Sequence, residues 1–202
     1  MPAPRLDTLL VAVALMGAPL TAQQPTLIAD LNKTPLAQPL NSNPRPLARL
    51  GGEVLLQATT PFHGAELWAM DLTTRDVRLV ADIVSGANGS LPLGDAVMGG
   101  SLFFAATDAA GQRELWRSDG TAAGTARVLD LAGFTSSSPR DLRVVNGRLV
   151  FVAHGGSTVG TELFVSDGTA AGTQVVDIYP GGATSDPAGL FVHGGYVYFA
   201  AT

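Results

Sequence analysis

Two signals that recur every 47–48 residues, together with apolar side chains on both faces of short strand-like segments, predict an all-β fold. The architecture expected is a β-propeller-like array of four-stranded antiparallel blades with a 47–48 residue repeat. The first signal is Glu114-Leu115-Trp116-Arg117-Ser118-Asp119-Gly120-Thr121, continued by Gly124-Thr125. It returns as Glu162-Leu163-Phe164-Val165-Ser166-Asp167-Gly168-Thr169 with Gly172-Thr173, and in altered form from Glu66-Leu67-Trp68 to Asp71. The second is a turn dipeptide upstream of each copy: Gly51-Gly52, Gly99-Gly100, Asn146-Gly147 and Gly194-Gly195.

Each element follows from these anchors. Gly-Gly and Asn-Gly between apolar runs supply the two positive φ angles of a type I′ turn, so four tight hairpins are expected. A proline stands eight residues before the second member of each pair (Pro44, Pro92, Pro139, Pro187), in polar or glycine-rich stretches that read as loops. The Glu-Leu-aromatic segment supplies a third strand. After its turn a fourth apolar segment follows, over 77–83, 125–131 and 173–179, each with one Asp near its end (Asp82, Asp130, Asp177). In the third repeat the strands are expected near 142–145, 148–153, 161–166 and 173–179. Adjacent apolar residues such as Leu115-Trp116 point to opposite faces of a strand, so both faces need a cover. Sheets buried on both faces by sister sheets are propeller blades.

The boundaries expected are a leader over 1–22, an amino-terminal segment over 23–43 with an orphan outer strand at 26–31, and blades over 44–91, 92–138 and 139–186. The first two strands of an incomplete fourth blade follow over 187–202. Leu27-Ile28-Ala29-Asp30-Leu31 parallels Leu79-Val80-Ala81-Asp82-Ile83, and 192–202 parallels 97–107 position by position. The strand count predicts an incomplete propeller, the amino-terminal portion of a longer one.

Composition narrows the function classes. Of 202 residues 46% are hydrophobic, enough for a core, and 14% are charged, against about 25% in ordinary soluble domains. The net charge is −5, and eleven Arg and one Lys (Lys33) form no cluster, which speaks against a nucleic-acid partner. Absence of cysteine removes thiolate, iron–sulfur and Cys-type zinc chemistry. Arg5, the apolar run Leu9 to Met16 and small residues up to Ala22 read as an export leader cleaved near Ala22, although Asp7 offsets Arg5. Eight apolar residues are too few for a hydrocarbon core of about 30 Å, so no membrane span is expected in the mature chain. The location expected is secreted or cell-surface, with the periplasm also open.

The motif residues resemble the ELWxxDGT repeat of bacterial secreted and surface proteins, closely over 114–131 and 162–178. The first copy departs, since Leu72 and Asp76 stand where the two glycines belong, and its turn must differ. The resemblance implies a propeller-like extracellular repeat protein and transfers no activity.

Candidate chemistry is sparse. Asp119 and Asp167 with nearby hydroxyls are weak calcium candidates, because hard cations want six to eight oxygens and each turn brings one carboxylate. The alternative is that each carboxylate accepts N–H bonds inside its own turn. Glu66, Glu114 and Glu162 read as structural bonds or exposed strand ends, and Trp68, Trp116 and Phe164 as blade-to-blade packing rather than sugar platforms. His63, His154 and His193 do not converge and read as loop residues; no nucleophile elbow, metalloprotease helix or phosphate loop is present. The connections over 59–64, 107–113 and 153–160 are where a rigid scaffold would present function. The reading expected is an exported, non-enzymatic binding scaffold with no catalytic, cofactor or metal residues, for a protein or carbohydrate partner, in contact with further blades of the same protein. Two alternatives stay open: the non-catalytic part of a larger secreted hydrolase or lyase, and a calcium-stabilised adhesive module.

Overall fold

A computed structural model describes residues 42–131, 133 and 135–202; the expected leader and the orphan strand at 26–31 lie outside the described residues. Sheet 1 comprises β1 (Arg45–Leu50), β2 (Glu53–Thr60), β3 (Gly64–Asp71) and β4 (Val77–Ala81). Sheet 2 comprises β5 (Leu93–Met98), β6 (Ser101–Thr107), β7 (Arg113–Ser118) and β8 (Ala126–Leu129), and sheet 3 comprises β9 (Arg140–Val145), β10 (Arg148–His154), β11 (Thr161–Ser166) and β12 (Gln174–Val176). A two-stranded sheet 4 pairs β13 (Ala188–His193) with β14 (Tyr196–Ala200). Strands follow chain order within every sheet and all pairs are antiparallel. No helix occurs among the described residues, so none there is long and apolar enough to cross a membrane.

The sheets stack through the side chains whose two-sided pattern predicted them. Leu55, Leu67 and Val80 of sheet 1 meet Leu102, Phe104 and Ala106 of sheet 2. Phe103 and Leu115, on the other face of sheet 2, meet Leu149, Phe151 and Phe164 of sheet 3, where Phe151 and Phe164 stack at 5.6 Å. Val150, Val152 and Leu163 then meet Leu190 and Val197 of sheet 4. At about 1.5–3 kcal/mol for each large apolar side chain removed from water, this alternation stabilises the stack and leaves little for a sheet standing alone. Between sheets the first strands lie side by side, β1 by β5, β5 by β9 and β9 by β13, so they line the axis of the array. β1 and β13 are not packed in this way, and the described sheets form an open propeller-like array rather than a closed ring.

Several local expectations are corrected. The turns at 99–100, 146–147 and 194–195 carry positive φ at both residues, but in the first hairpin only Gly51 does, with Gly52 outside the left-handed region while its carbonyl accepts the Leu72 N–H at 2.9 Å. The fourth strands are shorter than their apolar segments, ending at Ala81, Leu129 and Val176, because the residues beyond turn away to reach the next sheet. β9 begins two residues earlier than expected, at Arg140. His154 and His193 close β10 and β13 rather than lying in loops, whereas His63 is in the β2–β3 turn, 3.2 Å from Asp82.

Candidate functional site: repeat clamps and an axial mouth

The recurrent glutamates are fully buried clamps between consecutive sheets. Glu66 on β3 accepts the Ser90 hydroxyl at 2.6 Å and the Val84 N–H at 2.9 Å. Glu114 on β7 accepts the Ser137 hydroxyl, and the Ser137 N–H at 3.0 Å. Glu162 on β11 accepts the Ser185 hydroxyl at 2.5 Å, the Ser185 N–H at 2.8 Å and the Ile178 N–H at 3.0 Å. Each carboxylate thus ties the third strand of one sheet to the segment that leads into the next. Burial raises the Glu66 and Glu114 carboxyls above the ordinary glutamate range, against the lowering effect of their hydrogen bonds. Burial also opposes ionisation of Glu162, but the bonds from Ser185, Ile178 and Tyr179 outweigh it and hold this carboxyl below that range.

The serine partners belong to a tripeptide not singled out in the sequence: Ser42-Asn43-Pro44, Ser90-Leu91-Pro92, Ser137-Ser138-Pro139 and Ser185-Asp186-Pro187. The middle residue has positive φ every time, between 42° and 52°. The serine carbonyl accepts an N–H within two residues of the end of its own sheet's second strand, from Thr59, Thr107, His154 and Thr202 at 2.7–2.9 Å. The proline's 47–48 residue spacing was visible in sequence, and the serine two places before it shares that spacing.

The Asp-Gly-Thr turns are closed by their own groups. Asp119 Oδ1 accepts the Thr121 N–H at 2.9 Å and its hydroxyl at 2.7 Å; Asp167 does the same for Thr169 at 2.9 and 2.6 Å. These bonds lower both aspartate pKa values. Ser118 meets Thr125, and Ser166 meets Thr173, at 2.7 Å across each turn. A Cβ on Gly124 or Gly172 would overlap the aspartate carboxylate, at 2.0 and 2.1 Å. Gly120 and Gly168 have φ of +91° and +92°, and Gly168 lies against Phe103 and Met98 of the preceding sheet. Arg78 reaches the Gly120 carbonyl at 2.8 Å while paired with Glu53 at 2.7 Å. The turn is therefore a docking knob on the neighbouring sheet. No cluster of three metal-ligating side chains occurs among the described residues. In the first copy Asp71 accepts the N–H groups of Thr73 and Thr74 at 2.7 and 2.8 Å, and Arg75 takes the positive φ.

The remaining motif residues divide by face. Leu67, Leu115 and Leu163 point toward the following sheet; Trp116 and Phe164 point toward the preceding one, and Trp68 lies with Leu56, Ala58 and Met70 on the corresponding face of sheet 1. The Trp116 indole nitrogen is buried without a partner among the described residues, and phenylalanine serves in the third copy, so this position packs rather than hydrogen-bonds.

A cavity of about 340 Å³ opens where β1, β5 and β9 converge on the axis, within the size range of small-molecule pockets. Each of these strands is bulged there, between Pro46 and Ala48, between Leu93 and Ala96, and between Arg140 and Arg143. Bulges re-aim side chains. Asp141 takes φ of +53° at its bulge, and Gly94, in the same repeat position, has no room for a Cβ, which would sit 2.8 Å from the Phe104 Cα. Arg140 is held by Asp186 and the Pro187 carbonyl, and Arg143 by the carbonyls of Leu142 and Leu190. The side chains of Arg45, Asp95 and Asp141 have no partner among the described residues. Among the described residues the mouth thus offers one cation and two carboxylates without a partner. Single residues of this kind, scattered over three repeats, gave no sequence signal because only the bulged strands bring them together. The connections at 59–64, 107–113 and 153–160 do not line it.

No family model and no curated protein matches the chain. Among solved structures, a protein of Agrobacterium tumefaciens described as a TolB superposes with a TM-score of 0.49 at 14% identity, over 79% of this chain and 55% of that one. The similarity is remote. The chain spans about half the length of that protein. What assigns the fold is the strand order and the sheet-on-sheet packing described above.

Proposed function

We propose that this protein is an exported, non-enzymatic propeller scaffold of the ELWxxDGT type that binds a protein or carbohydrate partner at the bacterial exterior. The observation that supports the reading is the axial mouth, where the first strands of three sheets place Arg45, Asp95 and Asp141, without partners among the described residues, around a cavity of about 340 Å³. Pre-formed concavity with a few convergent polar groups is the usual form of a ligand site. Its mixed charge suits a ligand that both donates and accepts hydrogen bonds, such as a peptide or a polyol. The repeat residues form clamps and turns, which supports a structural part for them. The leader-like start supports export.

The test is a peptide and glycan array probed with the full-length protein, beside a panel of glycoside and ester substrates. Binding that falls about tenfold or more in Arg45→Ala and Asp95→Asn, at unchanged melting temperature, supports the scaffold reading. Turnover of a substrate, or binding indifferent to both substitutions, overturns it.

A further inference from the structure

The segment that carries sheet 1 into sheet 2 breaks the repeat one residue before its clamp serine. Ser136 and Thr184 stand before Ser137 and Ser185, and their hydroxyls accept the N–H groups of Arg113 and Thr161 at 3.0 and 3.1 Å. Before Ser90 stands Gly89, which brings bare backbone to the equivalent Ala65. A Cβ on Gly89 would lie 2.3 Å from the Ala65 nitrogen, and one on Gly64 would lie 2.5 Å from the Gly89 nitrogen. The N–H groups of Ser90 and Leu91 both donate to the Ala65 carbonyl at 3.0 Å, which leaves the Gly89 nitrogen outside these bonds. Ahead of Gly89 is Asn88, exposed and with no side-chain partner among the described residues.

We propose that Asn88-Gly89 is a site of self-modification, at which Asn88 converts to isoaspartate and so loosens the clamp between sheets 1 and 2. The Gly89 nitrogen attacks the Asn88 side-chain carbonyl carbon. The bond from that carbon to the amide nitrogen breaks, and ammonia leaves with the proton given up by Gly89, which closes a cyclic imide. Water then opens the ring. Opening at the main-chain carbonyl gives isoaspartate, whose backbone runs through the former side chain and is a methylene longer; opening at the other carbonyl gives aspartate. Glycine favours the attack because no Cβ shields its nitrogen.

The other Asn-Gly and Asp-Gly pairs of the described residues are restrained. Asn146-Gly147 is set in a turn with φ of 49° and 70°, and its side-chain amide donates to the Gly195 carbonyl at 3.0 Å. Asp119 and Asp167 hold their carboxylates on Thr121 and Thr169. The consequence of conversion at Asn88 lies two residues on. Ser90 is fully buried, with its hydroxyl on Glu66 at 2.6 Å. An added backbone methylene beside the close approach of Gly89 to Gly64 and Ala65 has no room to fold away, so it displaces Ser90 and takes a donor from Glu66.

Incubation of the full-length protein in mildly alkaline buffer, followed by peptide mapping and an isoaspartyl methylation assay, tests this. In the folded protein isoaspartate should accumulate about tenfold faster at 88 than at 146, the factor that breaking one hydrogen bond imposes on a rate, and the two should match once urea unfolds the chain. The converted protein should lose about tenfold in its folded-to-unfolded ratio by urea denaturation. Asn88→Asp, with the same charge on an unaltered backbone, should stay within about threefold of the parent, and Asn88→Gln should neither convert nor weaken over the same interval. An Asn88 that stays intact, or conversion at 146 as fast as at 88 in the folded protein, overturns the proposal. So does an isoaspartate-88 protein as stable as Asn88→Asp.

Discussion

Removing the Glu114 carboxylate should unlock sheet 2 from sheet 3, and the size of the effect follows from what it holds. Glu114 is fully buried and accepts both the N–H and the hydroxyl of Ser137, itself fully buried. Each buried donor left without an acceptor costs about 1–3 kcal/mol, so Glu114→Ala should destabilise by about 3–5 kcal/mol once the lost packing is included. For a domain of this size about 1 kcal/mol shifts the melting temperature by roughly 2–4 °C, which predicts a drop on the order of 10 °C. Ser137→Ala should cost about 1–2 kcal/mol, because the Ser137 N–H bond survives. Glu114→Gln keeps an acceptor and, since burial already pushes this carboxyl toward its neutral form, should cost about 1 kcal/mol. In the double variant the penalties should fall short of additivity by about 1–2 kcal/mol, the mark of a direct pair. Urea denaturation of the parent and the four variants measures all of this. Strict additivity, or a Glu114→Ala variant within about 0.5 kcal/mol of the parent, would refute the clamp.

Gly168→Ala should destabilise more than Gly120→Ala, although both have φ near +90°: the new methyl meets Phe103 at 2.8 Å in the first and nothing nearer than 3.5 Å in the second, and thermal melting ranks them. The clamps also predict a two-sided pH response. Glu66 and Glu114 have folded pKa values raised above 4.5, so their contribution is fully present below 4.5 and is lost as pH rises through the folded values. Glu162 is lowered below 4.5, so its contribution is present above 4.5 and is lost as pH falls through the folded value. Melting against pH should therefore change slope on the neutral side of 4.5 in the parent and not in a Glu66→Gln, Glu114→Gln variant, while Glu162→Gln should flatten the acid-side loss. EDTA should leave the melting temperature unchanged, since Asp119 and Asp167 spend their Oδ1 atoms on Thr121 and Thr169; a fall of several degrees that added calcium reverses would restore the adhesive-module alternative.

Periodicity made the strands legible because each blade solves one packing problem with one pattern: Leu67, Leu115 and Leu163 face forward, and the ring beside each faces back. Turn chemistry was legible at Asp119-Gly120 and Asp167-Gly168 for the same local reason, and failed at Gly52, where the Leu72 N–H engages the turn from a distant segment. The glutamates could be read as structural but not as clamps. Their partners lie 23 or 24 residues away in Ser90, Ser137 and Ser185, and the pairing exists only once one sheet leads into the next. The axial mouth was invisible for a stronger reason. Arg45, Asp95 and Asp141 obey no period and line one cavity only because β1, β5 and β9 lie side by side, while the bulges that hold Asp95 and Asp141 break the strict alternation of their strands. Repetition thus reports the scaffold, and a residue that breaks its column, as Asp141 does on β9 where Gly94 stands on β5, is what periodicity alone does not report.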